Sequence, residues 1–358
     1  MRKQRVSGWF RRACPLAGLA VVAALGVYAA PQGSGYKVAR RMPVGGDGRW
    51  DYLRVDPDAH RIYVTRGSHL MVVDENTGKV IGDVPVANAM NMHGVALATD
   101  LGKGFTSNGD VNSVTVFDLK TLKAISDIKI DGNNPDSILY DPMTKRIFTF
   151  NNRSMNVTAI DANAGTVVGT VALGGRPEEP ALDGKGNIFV NLEDKNSIQE
   201  FDAKTLAVKA TWPIAPCDGP SALAYDSAHK RLFAACSKMI VVVNAETGKV
   251  VASPPIGGDP DGNSFDPVTG LIFASCREGV VSIIHQDSAD KYSVVGNVTT
   301  QFGARTMTLD PKTHHVFTET ADFKPAPAPT PDNPRPRPDP IAGSFVIWNW
   351  RSRKTSDS

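Results

Sequence analysis

The chain has 358 residues, of which 41% are hydrophobic and 21% are charged, so it can bury a substantial core and is not a disordered polypeptide. Its formal net charge of +2 at pH 7 gives no support to nucleic-acid binding through overall charge. Lys and Arg are mostly spread over turn positions, whereas nucleic-acid binders usually carry a basic stripe with interleaved aromatic residues.

Residues 1–30 predict a secretory signal peptide. Five basic residues come before or near the start of an apolar stretch, 15–27, and a small-residue cleavage pattern ends at Ala29 or Ala30. The apolar stretch is short for a membrane span, and an uncleaved N-terminal anchor is the alternative. Cleavage removes five basic and no acidic residues, which changes the net charge to about −3. We therefore expect a near-neutral mature protein, periplasmic or secreted, without a membrane span.

One pattern recurs seven times after residue 50: a short apolar strand, an Asp or its substitute, a turn, and a strand led by Tyr or Phe. The anchor positions are Asp56, Ala98, Asp141, Asp183, Asp226, Asp266 and Asp310. The steps between them are 42, 43, 42, 43, 40 and 44 residues. This period is typical of propeller blades or solenoid units.

The content of each repeat decides between these two architectures. A second hairpin follows the Tyr/Phe-led strand, as in 71–86 and 114–130, with Asn, Asp and Gly turns between runs rich in Val and Ile. Four short antiparallel strands per repeat are therefore predicted, and the repeats contain no helical stripe. The predicted fold is all-β, a seven-bladed β-propeller with four-stranded antiparallel blades, in a single domain over 36–350.

The two ends of the chain are predicted to complete one blade. The last repeat supplies three strands, in 306–309, 315–320 and 343–350, and its fourth strand is missing. Residues 36–46 have the form of an outer strand and exit loop, so we expect them to pair with the C-terminal blade and close the ring without an open edge.

Two segments lie outside the predicted strands of this last blade. The insertion 324–340 is rich in proline, which predicts an extended loop on the rim; it is either a docking element or a connection across a gap. Residues 351–358 form a C-terminal tail.

The cysteines of the mature chain predict one disulfide. Cys217 enters the inner strand of the blade whose second strand ends at Cys236, and antiparallel pairing brings these two positions to the same rim. We therefore predict a Cys217–Cys236 disulfide with Cys276 left over. A soft metal site formed by all three cysteines is the alternative.

The register of the repeats predicts two rings of side chains, each with one residue per blade. Residues five positions before the anchors are mostly ionisable: Asp51, His93, Asp136, Glu178, Ser221, Asp261 and Arg305. Residues directly before the anchors are apolar or aromatic: Val55, Leu97, Tyr140, Leu182, Tyr225, Phe265 and Leu309. Because the first strand of each blade lines the central channel, the polar ring is expected at the channel mouth.

With His93 counted as neutral, this polar ring carries a charge of about −3. Converging carboxylates bind hard cations such as Ca²⁺, or a cationic or polyhydroxyl ligand. The alternative is that these side chains hydrogen-bond to one another and to water without binding a ligand.

Two further residues near the mouth are candidates for ligand contact. His93, flanked by Asp51 and Asp136, could have a raised pKa and act as an acid or base. Trp50 could stack on a ligand or pack against the entrance loop. Catalytic residues stay unassigned, because the sequence contains no nucleophile elbow, zinc-protease or phosphate-loop motif.

The Tyr/Phe-led strands carry a resemblance to a known family. They read YVTR (63–66), FTSN (105–108), FTFN (148–151), FVNL (189–192), FAAC (233–236), FASC (273–276) and FTET (317–320). With the hairpins that follow, the mature chain resembles the YncE-like secreted YVTN-repeat β-propellers. This resemblance implies the fold; it leaves the function open, since such repeats occur in surface-layer proteins, single-strand DNA binders, lactonases and dehydrogenase-like subunits.

The predicted function is that of a secreted or periplasmic scaffold, expected to be monomeric, that binds a small molecule or a protein partner through its acidic channel mouth. The first alternative is a lactonase-type hydrolase. In it, Asp51, Asp136, Glu178 and Asp261 hold a divalent cation, and a carboxylate or His93 activates water. The second alternative, single-stranded DNA binding, ranks lower because the mature chain has a charge of about −3.

Overall fold

A ring of seven four-stranded antiparallel sheets forms the body of the protein. The computed structural model describes residues 35–330, 333 and 336–353. The predicted signal peptide and most of the predicted tail lie outside these residues. Within the described part, no helix is both long and apolar enough to cross a bilayer.

Six blades are each made from one continuous stretch of chain, and neighbouring blades contact through their first strands, which surround the channel. Blade 1 consists of strands Leu53–Asp56, Arg61–Thr65, His69–Asp74 and Val80–Pro85. Blade 2 consists of Met92–Ala98, Lys103–Asn108, Ser113–Asp118 and Ala124–Lys129. Blade 3 consists of Pro135–Asp141, Arg146–Asn151, Asn156–Asp161 and Thr166–Ala172. Blade 4 consists of Pro177–Leu182, Asn187–Leu192, Ser197–Asp202 and Val208–Pro213. Blade 5 consists of Ala222–Asp226, Arg231–Cys236, Met239–Asn244 and Val250–Ala252. Blade 6 consists of Pro260–Asp266, Leu271–Cys276, Val280–Ser288 and Lys291–Thr299. Two short 3₁₀ helices, Thr99–Leu101 and Glu193–Lys195, lie in the connections.

The seventh blade joins the two ends of the chain. Its strands are Met307–Leu309, Val316–Thr320, Val346–Ser352 and, outermost, Tyr36–Pro43. The N-terminal strand runs antiparallel to the last strand, from Tyr36 opposite Ser352 to Pro43 opposite Val346. The predicted propeller and its mode of closure are thus confirmed.

The Tyr or Phe that begins each repeat motif packs in the core. All seven of these rings are at most 2% exposed: Tyr63, Phe105, Phe148, Phe189, Phe233, Phe273 and Phe317. Apolar clusters form where blades meet; Phe105 of blade 2, for example, shares one cluster with Ile138 and Ile147 of blade 3. The core is therefore divided among the contacts between blades.

The anchor aspartates shape the turns between first and second strands. The Asp56 carboxylate accepts hydrogen bonds from the backbone N–H groups of Asp58 and Ala59, at 3.0 and 3.1 Å. Asp310 accepts one from Lys312 at 2.8 Å. Aspartate favours such turns because its short side chain reaches the backbone two and three residues ahead. In blade 2, where Ala98 replaces Asp, a 3₁₀ turn ends at Gly102 with a left-handed φ of 63°.

The last residue of the repeat motif joins neighbouring strands within a blade. Asn108 is fully buried, and its side-chain amide donates to the hydroxyls of Ser113 and Thr115 at 3.1 and 2.9 Å. Cys236 occupies the same position in blade 5 and forms the predicted disulfide with Cys217, with 5.4 Å between the Cα atoms. Cys276 is buried as a free thiol, and burial raises its pKa to about 12.

Loss of the disulfide should destabilise the fold. The bridge closes a loop of sequence separation 19, and the chain-entropy model assigns such a loop a stabilisation of about 3 kcal/mol. We expect the Cys217→Ala/Cys236→Ala variant to lose roughly that free energy of unfolding, measured by denaturant titration. The control is Cys276→Ala, which removes a buried sulfur without a cross-link and should cost about 1 kcal/mol. A double variant no less stable than this control would contradict the prediction.

Candidate functional site

The seven positions of the polar ring converge on one cavity at the mouth of the channel. Each lies in, or one or two residues before, the first strand of its blade. All seven line a cavity of about 520 Å³, the channel-mouth cavity: Asp51, His93, Asp136, Glu178, Ser221, Asp261 and Arg305. The repeat register therefore places these side chains together, as the sequence predicted.

The apolar ring lies at a second level of the channel. Its seven members all line a separate cavity of about 480 Å³. Arg54 of blade 1 and Glu179 of blade 4 also line this second cavity, with 3.5 Å between the guanidinium and carboxylate. Since these blades lie on opposite sides of the ring, this ion pair crosses the channel.

His93 lies between two carboxylates of the polar ring. Its Nδ1 is 2.6 Å from Asp51 Oδ2 and 3.5 Å from Asp136 Oδ1, and its Nε2 is 2.8 Å from the side-chain amide of Asn91. Burial lowers the pKa of His93, but the hydrogen bond to Asp51 and the charges of Asp136 and Asp51 outweigh burial and raise the pKa to about 9. This pKa favours the imidazolium at pH 7, which adds a positive charge that the sequence-based count left out; the Nε2–H of that form requires the Asn91 amide to present its oxygen, since an amide nitrogen cannot accept a hydrogen bond.

Arginines neutralise one half of the ring. Arg305 is hydrogen-bonded to Asp261 and, at 3.0 Å, to Asp51. Arg277, which lies outside the repeat register, approaches Asp261 at 3.7 Å and Asp259 at 3.0 Å. Burial raises the pKa of Asp51, but Arg305 and His93 more than offset it, so the pKa is lowered.

The other half of the ring keeps its carboxylates without an arginine partner. Glu178 accepts a hydrogen bond from the Asn152 amide at 3.3 Å. Burial and the nearby charge of Asp136 raise the pKa of Glu178 well above its usual range. Burial, only partly offset by His93, raises the pKa of Asp136 to about 6. The acidic half, Asp136 and Glu178, is thus the part of the cavity where negative charge is least compensated.

Ser221 has a different role from the charged members of the ring. Its hydroxyl donates to the Pro260 carbonyl at 2.6 Å, which links blade 5 to blade 6. The serine therefore fixes neighbouring inner strands, and its hydroxyl proton is not directed to a ligand.

A buried arginine positions the entrance loop before Asp51. Arg66 replaces the Asn of the repeat motif and is 1% exposed. Its guanidinium donates to the carbonyls of Gly45 and Asp47 at 3.0 and 2.9 Å and stacks 3.8 Å over the Phe345 ring. The loop carrying Trp50 and Asp51 is held in this way, a role that the repeat alignment could not reveal.

Trp50 packs beside the channel mouth and does not line the channel-mouth cavity. Its ring lies 5.1 Å from Phe345 and 5.9 Å from Phe323, which precedes the proline-rich insertion. It lines an adjacent cavity between that insertion and the entrance loop.

Three side chains at the mouth lie close enough together to coordinate one metal ion. Within the described residues, one group of three His, Cys, Asp or Glu side chains has its ligand atoms all within 4.8 Å of one another: Asp51, His93 and Asp136. Glu178 and Asp261, expected alongside Asp51 and Asp136 as a carboxylate set, do not belong to this group.

The comparisons with known proteins concern the fold. No family model matches the chain, and no curated protein matches it. Among solved structures the chain is similar to Kuenenia stuttgartiensis hydrazine synthase, with a TM-score of 0.66 and 19% identity. The match covers 77% of this chain and 92% of that one, and at this identity it supports the propeller architecture alone.

The pKa of His93 generates a prediction about stability and pH. A histidine whose folded-state pKa is raised from 6.5 to about 9 stabilises the fold fully below pH 6.5, and this contribution is lost as the pH rises to about 9. The loss should be on the order of 3 kcal/mol. Asp51→Asn removes the charge that holds the proton, so we expect the NMR titration midpoint of His93 to fall and the stability change between pH 6.5 and 9 to flatten.

Two controls make this test specific. The His93→Gln variant identifies the His93 signal by its disappearance. Glu246→Gln removes a carboxylate that is exposed and paired with Lys230, far from the mouth, and should leave the titration unchanged. A His93 midpoint near 6.5 in the unmodified protein would show that the carboxylates do not hold the proton.

Proposed function

We propose that this protein is a secreted or periplasmic propeller scaffold that binds a small polar ligand at its channel mouth. The observation that carries the proposal is the convergence of seven side chains, one per blade, on a single cavity of about 520 Å³. This volume lies within the range of small-molecule sites.

The proposed location rests on three features. The N-terminal segment has the composition of a secretory signal. The Cys217–Cys236 disulfide fits an oxidising compartment. The repeat motif resembles that of secreted YncE-like propellers, a membership that we likewise put forward as part of this proposal.

The charges in the cavity favour one chemical class of ligand. Arg305 and His93 already satisfy Asp51, and Arg305 satisfies Asp261. The acidic half, Asp136 and Glu178, has no arginine partner among the residues that the structure describes, and Glu178 accepts a hydrogen bond from the Asn152 amide. A group that brings positive charge or several hydroxyls to this half would supply the missing hydrogen bonds and neutralise the buried carboxylates. We therefore propose an amine-bearing or polyhydroxyl ligand.

A hydrolase that uses a divalent cation is the second candidate, and the group Asp51, His93 and Asp136 is the observation that favours it. The residues fit Ca²⁺ poorly, because that ion prefers six to eight oxygen ligands and one of these three donors is a nitrogen. In addition, the raised pKa of His93 means that the metal would have to displace a firmly held proton. We rank the binding scaffold first for these reasons.

The binding proposal predicts a loss of affinity when the acidic half is neutralised. Putrescine, choline and glucose serve as probes, with dissociation constants measured by calorimetry. We expect Glu178→Gln and Asp136→Asn each to weaken binding of the best probe by about tenfold, as for a charge-assisted hydrogen bond worth about 1.4 kcal/mol. For an amine, affinity should also fall as the pH drops below 6, because Asp136, whose pKa is about 6, becomes protonated.

The matched control is again Glu246→Gln, which removes one carboxylate outside the cavity and should leave affinity unchanged. The folded state should tolerate the two cavity variants, since burial disfavours the charged form of both carboxyl groups and neither is paired with an arginine among the described residues. Native mass spectrometry of the purified protein shows whether a natural ligand is retained. Binding that is unaffected by both cavity variants would place the ligand elsewhere, and elemental analysis showing a stoichiometric metal lost in Asp51→Asn would favour the hydrolase.

A further inference from the structure

A second cavity lies beside the channel mouth, between the proline-rich insertion and the loops of blades 7, 1 and 2. Its volume is about 380 Å³, and we call it the rim cavity. Pro338 and Pro340 of the insertion form one wall, and Trp50, Met90 and Phe302 lie on others. The rim cavity shares Asp51, His93, Arg277, Arg305 and Arg337 with the channel-mouth cavity but does not include the acidic half.

The base of the insertion is fixed against the blades. Phe323 forms a bridge with Pro340, and the Lys324 N–H donates to the Asp339 carbonyl at 2.9 Å. The Asp339 carboxylate pairs with Arg49 of the entrance loop at 2.9 Å. These contacts therefore hold the insertion in place as one wall of the rim cavity.

Large apolar side chains face solvent at this cavity. Met90 is 75% exposed and Phe302 is 53% exposed, and both line the rim cavity. Phe302 packs edge-on to Phe323 at 5.6 Å, and Phe323 lies 5.9 Å from Trp50. These rings offer an apolar surface for a flat ligand.

A buried donor at the same place has no acceptor. Trp50 is only 8% exposed, and its indole Nε1 has no hydrogen-bond partner among the described residues. An indole N–H that is removed from water without a partner is unfavourable, but this nitrogen is not exposed at the cavity surface, so Trp50 contributes its ring and not its N–H to the cavity.

The charged groups of the rim cavity are mostly cationic. Among the described residues that line it, Asp51 is the only carboxylate and five are arginines: Arg49, Arg66, Arg277, Arg305 and Arg337. Four of these arginines are hydrogen-bonded or ion-paired. Arg337, at the edge of the insertion, pairs with no carboxylate among the residues that the structure describes. The cavity thus offers one uncommitted cation and an aromatic wall.

From this combination we infer that the rim cavity is a binding site for a small aromatic or similarly flat organic anion, whose carboxylate interacts with Arg337 and whose ring lies against Phe302 and Phe323. The apolar body of such a ligand would cover Phe302 and Met90 and bury surface that is now exposed. This ligand class differs from the amine-bearing or polyhydroxyl class proposed for the acidic half, and the residues that carry the inference, Phe302 and Met90, lie outside the channel-mouth cavity.

The test uses 2-naphthoate as the probe and 2-naphthamide as its neutral counterpart, on the mature protein. Calorimetry should show the carboxylate binding at least about tenfold more tightly than the amide, as expected for one charge-assisted contact. In ¹H–¹⁵N NMR spectra the Trp50 indole signal, assigned with Trp50→Phe, should shift as 2-naphthoate is added. An unshifted Trp50 signal, or equal affinity for the amide, would overturn the proposal.

Four variants localise the binding. Arg337→Gln should weaken 2-naphthoate binding about tenfold, whereas Arg153→Gln, which removes an exposed arginine on blade 3, should have no effect. Met90→Glu places a negative charge on an exposed position of the wall and should abolish binding, while Met90→Leu preserves it.

Glu178→Gln separates the two cavities, because Glu178 lines only the channel-mouth cavity. We expect it to leave 2-naphthoate affinity unchanged even though it weakens the polar ligand. Equal loss of 2-naphthoate affinity in Arg337→Gln and Arg153→Gln would contradict the assigned site, as would unchanged binding to Met90→Glu.

Discussion

Closure of the ring by the two ends of the chain is the constraint on which the rest of this structure depends. Each blade covers its apolar faces only against its neighbours, so a ring with a gap would expose apolar surface on both sides of that gap. Pairing of Tyr36–Pro43 with Val346–Ser352 completes the seventh blade and removes that gap. The first strands of all seven blades are then held around one channel, and their polar residues face each other at its mouth.

The mouth combines charges from repeated and non-repeated parts of the chain. The repeats supply one residue from each blade at the same level. Arg277, Arg337 and the Arg66-bound entrance loop come from connections that vary from blade to blade. Arg305 of the repeated ring and Arg277 of a connection divide the mouth into a half in which Asp51 and Asp261 face arginines and a half in which Asp136 and Glu178 do not. Selectivity at this site would therefore depend on the loops as well as on the repeated positions of the blades.

Sequence periodicity was sufficient to predict the seven blades and the convergence of the polar ring, because both follow from the same register in every repeat. The disulfide and the closing strand followed from applying that strand order to blade 5 and to the incomplete last blade. The ring register also indicated a raised pKa for His93 between Asp51 and Asp136. The periodicity did not predict the contacts of Arg66 or the packing of Trp50 on Phe323 and Phe345. These features depend on contacts between loops that are remote along the chain and occur in only one blade. A single sequence carries no periodic signal for such contacts, so they required coordinates.

The position of the closing blade has a consequence for how the protein would unfold. Arg305 immediately precedes the strands of the blade that contains both chain ends, and it binds Asp51 at the start of blade 1, 254 residues away in sequence. The last and first blades therefore meet at the channel mouth, where both residues line the cavity. A molecule bound there would hold both sides of this junction, and its binding free energy would oppose separation of the chain ends. Occupancy of the mouth would in this way protect the ring from proteases that attack at its seam.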